Sequence, residues 1–141
     1  MIVQMEPAHL RQLCMQPAQK VFQPLAEDPD YAGNLIESGF AYALVDGGEV
    51  FACAGIIPQW EHRAVAWALV GQAAGRHMIE LHRAVSQSFR QHPFRRIETA
   101  VTVEFDEGHR WAQLLGFRRE GLMRSYTPEG EDCYLYARVA A

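Results

Sequence analysis

The sequence predicts a single α/β domain of the α+β type over residues 1–141, with helices packed on one mixed sheet. Strand-like alternation and helix-like spacing follow one another along the chain, in the order β-α-(α)-β-β-β-α-β-α-β-β. Apolar residues make up 49% of the chain and charged residues 21%, which is typical of a globular protein. A chain of 141 residues is long enough to bury one core, and no repeat or linker divides it.

The first third of the chain predicts an edge strand, a helix and a hairpin. Residues 2–5 are strand-like, and from Pro7 the apolar spacing fits an amphipathic helix with proline in its first turn. The segment 16–34 contains three prolines, so we expect broken helix and loop there. Strands at 39–45 and 50–57 are joined by Asp-Gly-Gly-Glu, whose central glycines accept positive φ and therefore favour a tight hairpin.

The middle of the chain predicts a strand, a turn, a helix and a second strand. Over residues 63–70 large side chains alternate with alanines, which is typical of a strand with something close against its small face. After the turn 71–77, apolar residues recur at helical spacing to about His92. Clean alternation then predicts a strand over 96–105.

The last third predicts a short helix at 107–115, with Gly116 placed as a C-terminal glycine should be. Strands near 117–125 and 132–139 follow, joined by a turn at 128–130.

Charge and cysteine content narrow the functional classes. Residues 62–128 hold ten arginines against six acids, whereas the chain as a whole has a net charge of −4. A basic middle in an acidic protein favours one small anionic ligand over a nucleic acid, and arginines spread over a solvated face are the alternative. The three cysteines lie far apart without a CxxC pair, and no signal peptide or apolar stretch of about 18 residues is seen. We therefore expect a cytoplasmic protein with no membrane partner and, since no histidine has a partner at ligand spacing, no metal.

The turn GQAAGRH, residues 71–77, allows two interpretations. Unpaired N–H groups at a helix N-terminus, helped by small residues, attract phosphate, so the turn could hold a phosphate-bearing cofactor. It could equally be a structural connection without a ligand.

A longer stretch carries a family resemblance. The segment HRWAQLLGFRREGLMRSYTPEGEDCYLYARV, residues 109–139, resembles the GCN5-related N-acetyltransferase (GNAT) family. The leucine-glycine-phenylalanine corner at 115–117 and the Asp132-x-x-x-Tyr136 strand carry it, and the likeness covers roughly 40–140. It implies a mostly antiparallel sheet whose central strands, 63–70 and 96–105, are parallel neighbours splayed apart for acetyl-CoA. More narrowly, the chain resembles small phage and prophage GNAT-like proteins, some related to internal virion proteins.

The resemblance also implies a cofactor site. The family motif Gln/Arg-x-x-Gly-x-Gly/Ala matches at Gln72 and Gly75, and departs at His77, which replaces a small residue. Acetyl-CoA would then lie along the preceding strand, and its pyrophosphate would bind the turn. The residues assigned to the cofactor are Leu69, Val70, Gln72, Ala73, Ala74, Gly75, Arg76, His77 and Asp106, the last aligning with a frequent asparagine of the family.

Catalytic groups match the family less well. The tyrosine that often protonates the departing thiolate is replaced here by Ala112, which donates nothing. Glu104, as a base, and Tyr126, as a substitute acid, are the candidates, although a solvated carboxylate and a sheet-edge tyrosine are the plainer interpretations.

Two functional classes follow. One is an acetyl-CoA-dependent N-acyltransferase that acts on a primary amine of a small molecule or protein, with the amine entering from the acidic N-terminal half. The other is a degenerate GNAT-fold protein of phage or prophage origin that serves as a binding or virion-associated module without turnover. The expected partners are acetyl-CoA and an unknown amine, with a homodimer or virion association left open.

Overall fold

A computed structural model describes the backbone of residues 1–140, and all their side chains except those at positions 18, 20, 21 and 29. Seven strands form one sheet in the order β1-β2-β3-β4-β5-β7-β6. In chain order the strands are β1 (Ile2–Gln4), β2 (Phe40–Asp46), β3 (Glu49–Trp60), β4 (Arg63–Val70), β5 (Arg96–Thr102), β6 (Arg118–Met123) and β7 (Cys133–Val139).

All neighbouring strands are antiparallel except β4 and β5. The parallel pair is short: Arg63, Ala64 and Val65 pair with Arg96, Ile97 and Glu98, and beyond these residues the two strands separate. The predicted mixed sheet with a splayed central parallel pair is thus confirmed. The separation leaves backbone groups of β4 and β5 without strand partners in the middle of the sheet.

Helices connect the strands. They are α1 (Pro7–Gln12), α2 (Gln23–Ala26), α3 (Pro29–Glu37), α4 (Met78–Gln91) and α5 (Asp106–Leu114), with 3₁₀ turns at Pro17–Phe22 and Gly75–His77. Prolines stand in the first turn of α1, α2 and α3, where the missing N–H costs nothing. The segment predicted as broken helix and loop is therefore three short helical pieces.

Two glycine positions decide local chain direction. In the β2–β3 turn Gly47 and Gly48 have φ of 57° and 80°, as a tight hairpin of this hand requires. Gly116 ends α5 with φ of 93°, which reverses the chain into β6. Both turns were predicted from the sequence.

Each face of the sheet packs against its own helices. On one face Leu10 of α1, Leu13 directly after it and Leu35 of α3 pack with Cys53 and Leu69 of the sheet. On the other face the helices α4 and α5 contribute Leu81, Phe89 and Ala112 to the core. The alternation along β4 divides its side chains between these two cores.

One predicted boundary is wrong in a way that matters for the site. The strand predicted over 96–105 ends at Thr102, because the chain turns there: the N–H of Phe105 donates to the carbonyl of Thr102 at 3.0 Å. Glu104 therefore lies in an exposed turn after β5, and not on a strand face.

Within residues 1–140, none of the helices is both long enough and apolar enough to span a lipid bilayer.

Candidate functional site

A cleft of about 900 Å³ opens where β4 and β5 part. Its walls are α4 and α5, the separated strands, the N-terminal helical segment and the β6–β7 turn. Of the described side chains that line it, only Glu107 is charged. An apolar cleft of this size with a few polar groups is the usual form of a small-molecule site.

The turn after β4 presents free backbone donors at one end of the cleft. The N–H of Gln72 donates to the carbonyl of Cys14 at 2.8 Å, and that of Ala74 donates to Gly71 at 3.2 Å. The N–H groups of Ala73, Gly75 and Arg76 have no acceptor among the described residues. Gly75 is exposed, and a Cβ added to it would meet nothing within 4 Å. Backbone donors without an acceptor among the described residues, at the start of a helical segment, are the arrangement that attracts anions, and we call these three N–H groups the cradle. Its role in cofactor binding stays a prediction.

His77, the departure from the family motif, packs against β3. Its ring lies 4.3 Å from the ring of Phe51, and its side chain is 12% exposed. His77 Nε2 lies 3.2 Å from Arg76 Nε and 3.6 Å from a carboxylate oxygen of Asp46. His77 therefore packs the turn against Phe51 of β3.

The Gln72 side chain has a structural partner as well. Its Nε2 donates to the carbonyl of Met15 at 3.1 Å, and Met15 forms an isolated antiparallel bridge with Gly71. The chain after α1 is thereby attached to the turn.

The free edge of β4 is occupied by the same segment. Val70 N–H donates to Gln19 Oε1 at 2.8 Å, and Gln19 Nε2 donates to the carbonyl of Ala68 at 3.0 Å. In the same segment, the Gln16 N–H donates to the carbonyl of Val70 at 3.2 Å. Gln19 is 9% exposed, so its carboxamide is a buried part of the cleft wall.

A side-chain hydrogen bond links α4 and α5, the two helices that line the cleft. Trp111 Nε1 of α5 donates to His82 Nδ1 of α4 at 3.1 Å. Ala112 is buried in the core beside Phe89 and Phe117, so its position is packed as well as chemically inert.

A buried polar chain below the cleft is missing from the sequence predictions. His109 Nε2 lies 2.8 Å from the carbonyl of Val103, which requires the proton on Nε2, and Nδ1 then accepts from Tyr136 Oη at 2.8 Å. Arg119 donates to the same hydroxyl at 3.1 Å. Every group is satisfied, which favours a structural role. The sequence did hold a signal for the burial of His109, because His109 and Ala112 lie one turn apart on α5 and so share its buried face.

An ion-pair network at the base of the parallel pair is also missing from the predictions. Glu98 accepts from Arg63 at 2.6 Å and from Arg96 at 2.8 Å, and Arg96 also binds Glu120. The Arg63 guanidinium, followed by that of Arg96, holds the pKa of Glu98 below its usual value. Arg96 does the same to the pKa of Glu120. Each of the four groups thus has at least one ionic partner within this network.

Comparisons with known proteins identify the fold. No protein-family model and no curated protein sequence matches this chain significantly. Solved structures match its shape. An acetyltransferase of the GNAT family from Bacillus anthracis superposes with a TM-score of 0.69 at 16% identity, covering 98% of this chain and 93% of that one.

Two further structures agree. The ribosomal-protein-S5-alanine acetyltransferase from Vibrio fischeri gives a TM-score of 0.70 at 14% identity, over 98% of this chain and 91% of that one. Aminoglycoside 6'-acetyltransferase type Ii gives 0.73 at 15% identity, over 99% and 96%. The chain has the GNAT fold.

In this GNAT fold the predicted cofactor residues divide into two groups. Those lining the cleft are Leu69, Val70, Gln72, Ala74 and Gly75. Those outside its lining are Ala73, Arg76, His77 and Asp106. The backbone N–H groups of Ala73 and Arg76 still belong to the cradle described above, whereas Asp106 is an exposed first residue of α5.

The two predicted catalytic residues are also separated. Tyr126 lines the cleft and is 57% exposed, so its hydroxyl is free to approach a ligand. Glu104 lies outside the lining residues. Both catalytic roles stay predictions.

Proposed function

We propose that this protein is an acetyl-CoA-dependent N-acetyltransferase that acts on a primary amine of a small molecule or protein. The observation that carries the proposal is that the space between the splayed strands β4 and β5 leads directly to the turn at 71–77. An apolar cleft of about 900 Å³ runs from the separated strands to the turn at 71–77, where three N–H groups have no acceptor among the described residues. The likeness to solved GNAT acetyltransferases gives the same arrangement a precedent in fold.

The cofactor would lie along the cleft with its pyrophosphate on the cradle. The N–H groups of Ala73, Gly75 and Arg76 would donate to phosphate oxygens, and the Arg76 guanidinium would add charge. The pantetheine arm would follow β4 towards Val70 and Ala68. Leu69 faces the opposite core, so its contribution would be through its backbone.

The acceptor amine would enter beside the N-terminal helices. The cleft lining on that side is aromatic and apolar, with Phe22, Leu25, Tyr31 and Trp67. Trp67 Nε1 is buried, and none of the described groups accepts its hydrogen. These features support an amine carried on an apolar or aromatic body with a hydrogen-bond acceptor. A polycation would find a single carboxylate, Glu107, among the described lining residues.

Catalysis would depend mainly on position. Acetyl-CoA supplies a thioester whose carbonyl carbon accepts the amine. The C–N bond forms, the C–S bond breaks, and the amine proton must leave while the thiolate gains one. Ala112 provides no acid, and Tyr126 is the group that lines the cleft with a hydroxyl to donate. Positioning alone can supply a large part of the barrier reduction, so slow turnover is expected. A neutral, weakly basic amine would need no base to attack.

Gly75→Val tests the cradle. A β-branched side chain would cover the free N–H groups, and the space around a Cβ at Gly75 is open, so the fold should survive. We expect acetyl-CoA to raise the Tm of the wild type by mass action and to leave Gly75→Val unchanged, with at least a hundredfold weaker binding by calorimetry.

Gly121→Val is the matched control, because Gly121 is also exposed with open space at its Cβ but lies on β6. It should bind acetyl-CoA like the wild type. Equal binding by wild type and Gly75→Val would reject the cradle.

The alternative is a GNAT-fold module that binds without turnover, and buried Ala112 favours it. Acetyl transfer to a panel of aromatic and aliphatic amines separates the two. Binding of acetyl-CoA with no transfer to any amine would support the module. Phage origin, virion association, a homodimer and a cytoplasmic location stay predictions.

A further inference from the structure

The splayed edge of β4 is already filled by a side chain that resembles a peptide group. A carboxamide has one acceptor and one donor, as a backbone amide has. Gln19 uses both, taking the N–H of Val70 at 2.8 Å and giving to the carbonyl of Ala68 at 3.0 Å. These are the bonds that a neighbouring strand would make, and β5 is absent here because it has turned away.

The bonds of Gln19 are part of a longer attachment. Cys14 accepts from the Gln72 N–H, Met15 accepts from the Gln72 side chain, and the Gln16 N–H donates to Val70. Residues 14–19 therefore cover the free edge of β4, and the start of the turn that follows it, from Ala68 to Gln72. Buried polar groups are costly to leave unpaired, so this segment stabilises the empty protein.

The proposed cofactor would hydrogen-bond to the same backbone groups of β4. An amide-bearing arm that lies along β4 needs the Val70 N–H and the Ala68 carbonyl, and Gln19 occupies both. The two arrangements exclude each other, because each backbone N–H makes one good hydrogen bond.

We infer that the 14–19 segment is an internal occupant of the cofactor site, and that acetyl-CoA must displace the Gln19 carboxamide to bind. This inference rests on the proposed function. The 3₁₀ turn that carries Gln19 also carries Phe22, which lines the acceptor side of the cleft. Displacement of Gln19 is therefore expected to move Phe22 on the acceptor side as well.

Gln19→Met tests the displacement directly. Methionine has similar length but offers neither a good acceptor nor a donor, so the closed state loses two hydrogen bonds and cofactor binding becomes easier. We expect calorimetry to show acetyl-CoA binding about tenfold more tightly to Gln19→Met than to the wild type, together with a lower Tm of the empty protein. Gln12→Met is the matched control, because Gln12 is exposed and lies outside the lining of the cleft, and its affinity should stay within twofold of the wild type.

Amide hydrogen exchange of the wild type gives a second readout that needs no variant. With saturating acetyl-CoA, the amides of residues 14–22 should exchange faster while those of 73–76 exchange more slowly. Slower exchange in both segments would overturn the displacement.

The outcomes separate the inference from the function beneath it. If wild type and Gln19→Met bind acetyl-CoA equally, the displacement is wrong and the proposed function stands. If only Gln19→Met binds, the segment is an inhibitor of the site, as inferred. If neither binds, the proposed function fails and the inference fails with it.

Discussion

The two ends of the parallel strand pair differ in almost every physical respect. At the base, three residues of β4 pair with three of β5, and one ion-pair network links Arg63, Glu98, Arg96 and Glu120. At the open end the strands are apart, the walls are alanines and aromatic rings, and the cleft has one charged lining residue among those described. The base holds the strands together so that the open end can remain apart. A cleft of this kind needs a rigid end as much as an open one.

The largest effect should come from filling the wall of the open end. A Cβ at Gly55 would lie 2.6 Å from the carbonyl oxygen of Phe40 and 2.7 Å from Trp67 Nε1. Such contacts with backbone and a packed ring cannot be relieved without movement. We expect Gly55→Ala to lower the free energy of unfolding by about 3 kcal/mol, measured by urea denaturation.

Gly121→Ala is the control for Gly55→Ala, because it is also a strand glycine but has nothing within 4 Å of its Cβ. It should change stability by no more than about 0.5 kcal/mol. Similar losses in the two variants would mean that the position over Gly55 is not tightly packed.

The second-largest loss of stability should come from removing the ion pairs at the base of the parallel strand pair. Glu98→Gln removes the charge that binds Arg63 and Arg96, so the two arginines would face each other without their shared carboxylate. We expect a loss of about 1–2 kcal/mol in the free energy of unfolding, since hydrogen bonds to charged groups are worth more than neutral ones. Glu104→Gln, an exposed turn residue, is the control and should be neutral.

The ion pairs at the base also predict how the stability of the protein depends on pH. The pKa of Glu98 and that of Glu120 are lowered in the folded protein from 4.5, by Arg63 and Arg96 respectively. A lowered folded pKa means that the stabilisation is present above the unfolded pKa and is lost as pH falls through the folded value. The wild type should therefore lose more stability than Glu98→Gln between pH 5 and about pH 3. Parallel pH curves for the two proteins would contradict this assignment.

The smallest effect on stability should come from Trp67→Phe at the open end. The ring contacts are largely kept and an unpaired buried N–H is removed, so the free energy of unfolding should change by less than about 1 kcal/mol. Affinity for an aromatic amine that carries a hydrogen-bond acceptor should nevertheless fall about tenfold, measured by calorimetry in the presence of acetyl-CoA. If stability falls sharply and affinity does not, Trp67 is a core residue only.

Local sequence determined the framework of this protein. The Asp-Gly-Gly-Glu turn predicts its hairpin because only residues that accept positive φ fit there. The large-small alternation over 63–70 predicts β4, with the bounds observed, because successive side chains face opposite cores. Gly116 and the corner that follows it, with the turn at 71–77, carried the resemblance from which the GNAT fold was predicted. The anion site at that turn stays a prediction.

The tertiary structure alone decided which polar groups meet. Gln19 lies 51 positions from Val70, Arg63 lies 35 from Glu98, and His109 lies 27 from Tyr136. Within its own segment each of these residues has an ordinary solvated interpretation, because nothing local requires a partner. Only the sheet order brings β4 beside β5 and the N-terminal segment beside β4. Side-chain hydrogen bonds need atoms within about 3 Å, and that distance is set by the packing of whole elements, which local pattern does not specify.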